Sequence, residues 1–139
     1  MINYGFEGSY DFQGKRHPFT GHLQLKDTEF FEGEFLDESS RVRIQPIVGR
    51  VREAEGRLVM EFLKDPGADS GLAKIQYQLT MPSSGSPEGD YEGAWRVAVN
   101  PKECGQVGIG YDETGEAVAI WIPEKETGNR ARLRLREER

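Results

Sequence analysis

The chain has 139 residues, 36% of them hydrophobic and 30% charged, with a formal net charge of −6 and a sequence pI near 5.0. That is enough chain for one domain with a real core, too apolar for wholesale disorder, and acidic enough to argue against a surface built to seek phosphate. A single cysteine, Cys104, excludes an internal disulfide, no apolar run reaches the roughly 18 residues of a spanning helix, and "MINYGFEGSYDF" carries no basic-then-apolar leader, so a cytoplasmic protein with a reduced thiol is expected.

From the N-terminus the dominant hydrophobic period is two, the signature of strands with one face in a core. The first strand, 4–12, contains "FEGSY" (6–10), which places Phe6, Gly8 and Tyr10 on one face and Glu7 and Ser9 on the other. After the turn-like "QGKRHP", a looser copy, "FTGHL" (19–23), opens a second strand, 19–26, and "FEGEF" (31–35) fills a third, 30–36. A glycine between two inward aromatics permits sharp local coiling and close approach of a ring from the next strand. The motif is therefore a bending device for a curved or closing sheet. The acidic run "EFFEGEFLDE" (29–38) reads as a solvated strand face plus a turn. His17 and His22, the only histidines, lie on opposite strand parities and read as surface or edge residues rather than as a metal pair.

Strands 41–52 and 57–64 follow, joined at "EAEG". The stretch "DPGADSG" (65–71) is a loop, and "GADSGLAK" (67–74) is the one place where Asp69 or Ser70 could cap a helical turn. In "KIQYQLTM" (74–81), Ile75, Tyr77, Leu79 and Met81 share a face. A second loop, "MPSSGSPEGD" (81–90), leads into strand 91–99, which carries the motif again as "YEGAW" (91–95). Cys104 sits in a turn, "NPKECGQ", beside Lys102, and no catalytic role is assigned to it. Strand 106–111 aligns Val107, Ile109 and Tyr111, and "EAVAIWI" (116–122), which carries strand 117–122, is apolar on both faces. Its hairpin partner 106–111 is expected to place Gly108 and Gly110 on the side of Ala117, Ala119 and Trp121, which makes that side a smooth apolar patch of the kind that marks an interface. The last strand, 130–137, sets Ala131, Leu133 and Leu135 against Arg130, Arg132, Arg134 and Arg136. Opposite Glu7 and Asp11 of the first strand, these arginines would form cross-strand pairs contributing about 0.2–1 kcal/mol each and would remove two sheet edges. That pairing accounts for the basic stripe without nucleic acid.

Short connectors without helices imply antiparallel neighbours. The expected fold is all-β: one domain over 1–139, a single antiparallel up-and-down meander of 8–10 strands closing into a barrel. With its N-terminal Gly8-Ser9-Tyr10, its late Gly93-Ala94-Trp95 and its arginine-bearing last strand, the chain resembles the calycin group of lipocalins, avidins and fatty-acid-binding proteins. The resemblance implies a calycin-like barrel; Gly8-Ser9-Tyr10 stands where lipocalins show G-x-W, and no binding residue is carried over. The stretch "FEGSYDFQGKRHPFTG" (6–21) is also similar to a MORN unit, which implies a repeat array instead, although the later copies are irregularly spaced.

The inner face collects Tyr4, Phe6, Tyr10, Phe12, Phe31, Phe35, Tyr77, Tyr91, Trp95 and Tyr111. Buried tyrosines need hydroxyl partners, so these rings suit either a cavity for a ligand with apolar and polar parts or a filled core with hydroxyls at the barrel mouths. The leading functional reading is non-catalytic binding of a small apolar or amphipathic ligand, with Tyr10, Phe35, Tyr77, Tyr91, Trp95 and Tyr111 as cavity candidates. The alternative is a filled barrel that dimerises or binds a protein partner through Gly108, Gly110, Ala117, Ala119 and Trp121. Enzymatic activity comes third: G-x-S-x-G, a phosphate-cradling loop and H-E-x-x-H are missing, and no titratable cluster inside a barrel is evident. Neither a cofactor nor a metal is expected.

Overall fold

A computed structural model describes residues 1–98, 108–111, 117–120 and 129–138, the two middle stretches by their backbone only. The strands are β1 (Ile2–Phe12), β2 (Lys15–Leu25), β3 (Phe30–Leu36), β4 (Ile44–Ala54), β5 (Arg57–Lys64), β6 (Ile75–Pro82), β7 (Gly89–Val97), β8 (Gly108–Tyr111), β9 (Ala117–Ile120) and β10 (Arg130–Glu137). Eight of them close into an antiparallel barrel in the order β1-β10-β7-β6-β5-β4-β3-β2, while β8 and β9 form a two-stranded sheet of their own. The expected up-and-down meander is therefore present, and the repeated motifs belong to one closed wall rather than to a repeat array. The stretch 67–74 holds no helix; Ser70 N–H donates to the Gly67 carbonyl, 3.2 Å away, in a turn. No helix among the described residues is long and apolar enough to cross a membrane.

Local chemistry sets the hairpins. Gln13 and Gly14 (φ 51° and 77°) join β1 to β2, and Glu55 and Gly56 (φ 55° and 76°) join β4 to β5. Two consecutive positive φ values match the type I′ turn, whose twist suits the strands it connects. β2 begins at Lys15 rather than at 19, because Pro18 lies beyond the last β3 pair, Thr20 with Leu36, where β2 has only β1 beside it. Such an edge position tolerates a residue without an N–H.

Closure follows the charge pattern. Glu7 pairs with Arg134 and Ser9 with Arg132 in the β1–β10 ladder. Arg132 lies 3.6 Å from Asp11 of β1, while Arg134 turns to Asp90 of β7 at 2.7 Å. The arginine stripe thus serves both neighbours of β10.

The register also explains the repeated glycines. Phe6 stands opposite Gly21, and Phe19 opposite Gly8, so each of the first two strands lays a ring over the other's glycine. A Cβ at Gly21 would strike the Phe6 ring and the Glu34 carbonyl; one at Gly8 would strike the Phe19 ring and the Arg132 carbonyl. The two rings meet edge-on with centroids 6.0 Å apart. At Gly33 and Gly93 the close neighbour is instead a backbone carbonyl, of His22 and Gln78 respectively. The glycines thus admit the close approach expected of the motif, of neighbouring main chain in all four copies and of a ring as well in two.

Below the barrel's middle the interior is filled. Phe19 and Phe35 (4.3 Å between centroids), and Phe62 and Tyr77 (4.7 Å), form its aromatic centre. Leu23, Met60, Leu79, Leu133 and Leu135 pack around them, all buried. Gly21→Ala is expected to lower stability by about 2–3 kcal/mol, since neither the ring nor the carbonyl can yield cheaply. Gly14→Asn, at a turn with nothing within 4 Å of the added Cβ, should cost less than about 1 kcal/mol because Asn tolerates positive φ. Urea unfolding midpoints of the two variants would check the contrast.

Candidate functional site

Among the described residues, the barrel interior is not filled at one mouth. It lies at the end bearing the β1–β2 turn, the 37–43 connection and the 65–74 connection, and it holds a cavity of about 310 Å³. Tyr10 and Phe12 from β1, Tyr77 and Ile75 from β6, and Trp95 from β7 form its apolar walls; Leu72 and Ala73 cover it from the 65–74 connection. The Trp95 indole is fixed by its N–H, which donates to the Asp11 carbonyl at 3.0 Å. His17 of β2 stacks on Tyr10, 5.0 Å between centroids and 19° between planes. A wider recess of about 590 Å³ lies against His22, Glu34 and Pro46. Its polar groups are exposed, with His22 Nε2 and Glu34 Oε1 3.1 Å apart, so it lacks the convergent buried polar groups of the mouth.

Two charged side chains reach into the mouth because strand alternation sends them there. On β5, Met60, Phe62 and Lys64 point inward in turn, and Lys64 is only 6% exposed at the strand's last position. Its ammonium Nζ lies 4.4 Å from the centroid of the Phe35 ring, 5.3 Å from that of Tyr10 and 5.5 Å from that of Tyr77. Ring faces attract a cation, but they accept no strong hydrogen bond, and Nζ makes neither a hydrogen bond nor an ion pair with any described residue. On β3, Phe31 and Phe35 face inward, and Asp37 continues that phase one residue past the strand, 1% exposed. Its carboxylate accepts the Tyr10 hydroxyl at 2.6 Å, the Ser39 N–H at 3.0 Å and the Ser39 hydroxyl at 2.7 Å. Gln45 closes the polar side by donating to the Val42 carbonyl at 2.9 Å, which leaves its own buried Oε1 without a partner.

Burial penalises the charged form of an amine and of a phenol in opposite directions. It lowers the Lys64 pKa from 10.5 to about 8, with the charge of Asp37 working against the drop. Tyr10 is pushed up to about 12, by burial first and then by the hydrogen bond it gives to Asp37. Tyr77 is raised well above its ordinary value by burial. Near neutral pH the mouth therefore holds two protonated phenols and an ammonium of which roughly a tenth is neutral amine at pH 7.

Of the cavity candidates, Tyr10, Tyr77 and Trp95 come together on the walls. Phe35 is fully buried against the Lys64 ammonium and does not line the cavity itself. Tyr91 faces the opposite mouth, where its hydroxyl donates to the Pro87 carbonyl at 2.6 Å. Tyr111 falls on β8, which pairs with β9 and does not enter the barrel wall, so the inner-face placement expected for it does not hold. The hairpin expected at 106–122 is present in β8 and β9, but its register pairs Gly108 with Ile120, Ile109 with Ala119, Gly110 with Val118 and Tyr111 with Ala117. Directly paired residues share a face of an antiparallel ladder. Gly108 and Gly110 thus share a face with Val118 and Ile120, not with Ala117 and Ala119, and the smooth patch as drawn from the sequence is not assembled. Trp121 and Cys104 lie outside the described residues.

Sequence reasoning passed over Lys64, Asp37 and Ser39. The signal was present as strand phase: Lys64 shares the parity of Met60 and Phe62, and Asp37 that of Phe31 and Phe35. Reading 29–38 as wholly solvated was therefore wrong at Asp37, and a titratable cluster does exist inside the barrel. Comparison with known protein families, curated proteins and solved structures finds no match.

The buried amine makes stability depend on pH. Above pH 8 the unfolded chain holds the Lys64 proton more tightly than the folded one, so stability should rise with pH, by about 2 kcal/mol between pH 7 and 9.5. Past pH 10 the unfolded tyrosines ionise while Tyr10 and Tyr77 stay protonated, and stability should fall again. Lys64→Met should abolish the rise and exceed the wild type at pH 7. Urea midpoints across pH 7–9.5 test this, and a wild-type profile as flat as that of the variant would contradict the burial of the ammonium.

Proposed function

We propose that this chain is a calycin-like barrel that binds a small, partly apolar ligand in the cytoplasm, without catalysis, in the mouth walled by Tyr10, Tyr77 and Trp95. The observation that carries the reading is a cavity of about 310 Å³ whose ring-lined walls surround a largely buried ammonium with no hydrogen-bond acceptor among the described residues. Small-molecule sites combine mostly apolar walls with a few placed polar groups, and this volume, at the low end of their range, suits a compound of one or two rings. The nearby Asp37 carboxylate opposes the charge of Lys64 and so disfavours a strong anion. A neutral ligand that offers an oxygen to Nζ and a flat apolar body to the rings fits both features.

Native mass spectrometry of the protein purified from its own host, set against the denatured mass, tests the proposal. Extra non-covalent mass is expected, and it should be lost in Ala73→Trp, which fills the cavity from its cover. In a Trp121→Phe background Trp95 is the only tryptophan, and ligand entry should quench its fluorescence. Bare protein with unresponsive Trp95 fluorescence across a panel of small aromatic alcohols, amides and aldehydes would overturn it.

A further inference from the structure

Lys64 differs from the other lysines whose surroundings are described. Lys15 is exposed at a turn, Lys26 lies 3.0 Å from Glu32, and Lys74 lies 3.6 Å from Asp65. Each has solvent or a carboxylate to keep it protonated. Lys64 has three ring faces, and the carboxylate nearest in charge, Asp37, spends its oxygens on Tyr10 and Ser39. A primary amine that is 94% buried, lines a cavity and is bound to no counter-ion among the described residues has the setting in which lysines act as nucleophiles toward carbonyl carbon.

We infer that Lys64 captures small aldehydes as imines within this cavity, an inference that rests on the reading of the mouth as a ligand site. The ammonium first gives its proton to solvent. The neutral Nζ then bonds to the carbonyl carbon, and the carbonyl π pair moves to oxygen, which takes up the proton released by nitrogen to form a carbinolamine. Loss of the hydroxyl with the remaining N–H hydrogen expels water and leaves a carbon–nitrogen double bond. The exchange consumes one aldehyde and one amine, releases one water, and requires neither oxidant nor reductant. The ring walls around Nζ limit the water that would reverse it, and they offer the flat surface on which an aryl group can lie. The lowered pKa of Lys64 supports the same chemistry by supplying neutral amine near pH 7. The titratable groups that face it are Tyr10 from β1, Asp37 from the 37–43 connection and Tyr77 from β6, with His17 of β2 behind the Tyr10 ring. Of these, Asp37 acts on Lys64 by charge and favours the ammonium.

Benzaldehyde with sodium cyanoborohydride, which reduces an imine to a stable secondary amine, provides the test on the full chain, with peptide mapping to locate the label. Benzyl alcohol, the same ring without the carbonyl, reports non-covalent entry through Trp95 fluorescence in the Trp121→Phe background. Labelling of Lys64 at least about tenfold faster than of Lys15 at pH 7.5, slowed by excess benzyl alcohol, is the expected result. Its rate should climb between pH 7 and 8.5 and level off above. Lys64→Arg should abolish the fast label while leaving the slow label on Lys15, and Lys64→Met, which also removes the charge, should do the same if the arginine fails to fold. Equal labelling of Lys64 and Lys15, with benzyl alcohol still quenching Trp95, would overturn imine capture and leave the ligand site standing. Equal labelling without any quench by either probe would overturn both.

Discussion

Strand β10 supplies backbone partners to β1 on one side and β7 on the other, and the rest of the barrel depends on that double pairing. Without it the sheet would end in two open ladders, and the inner faces of β1 and β7 would lose the wall that Leu133 and Leu135 provide between them. An eight-stranded ring is narrow enough for side chains to fill it. Closure also brings Tyr10 from the start of the chain within ring contact of Trp95, 85 positions later, at 6.2 Å. The curvature that closure demands is what the glycines make room for. Their spacing along β1, β2, β3 and β7 matches the places where a neighbouring ring or carbonyl presses through the wall.

The same narrowness sets the contrast between the two ends. At one mouth the Tyr91 hydroxyl finds the Pro87 carbonyl and the core is complete. At the other, the inward phase of β3 and β5 runs out in Asp37 and Lys64 instead of in apolar residues, and the packing stops short. An ammonium largely buried over aromatic faces, with no hydrogen-bond acceptor among the described residues, is costly, because the rings replace only part of its hydration. A structure that needed only stability would have placed Met or Leu at position 64. An amine there concentrates polarity at the mouth where the described residues leave the interior open, and the functional reading centres on it.

How much of this was legible depended on the range of the interaction. Strand phase is local: the alternation in 74–81 and 130–137 named inner and outer faces correctly, and the aromatic–glycine spacing pointed to bending. The cross-strand charge argument reached further and placed β10 against β1, with Glu7 in register with Arg134 and Asp11 within reach of Arg132. It did not foresee that Arg134 would prefer Asp90. Tyr111 shows where phase alone fails. Its alternation was read as that of an inner barrel strand, yet β8 pairs only with β9, and nothing within 106–111 announces which strands will be its neighbours.

The sequence by itself determined an all-β chain, the approximate positions of most of its turns, the alternation that sends most of the barrel's apolar side chains inward, and the need for glycine where the wall coils. These follow from side-chain alternation and from positive φ at a turn, properties that a few consecutive residues carry. Only the tertiary structure decided that eight strands rather than ten make the ring, that Tyr91 belongs to one mouth and Tyr10 to the other, and that Lys64 and Asp37 face each other's surroundings across a cavity. Those facts depend on strand order and shear around a closed sheet. They join residues 27 positions apart in the Tyr10–Asp37 hydrogen bond and 84 apart in the Trp95–Asp11 bond, separations over which local periodicity carries no information.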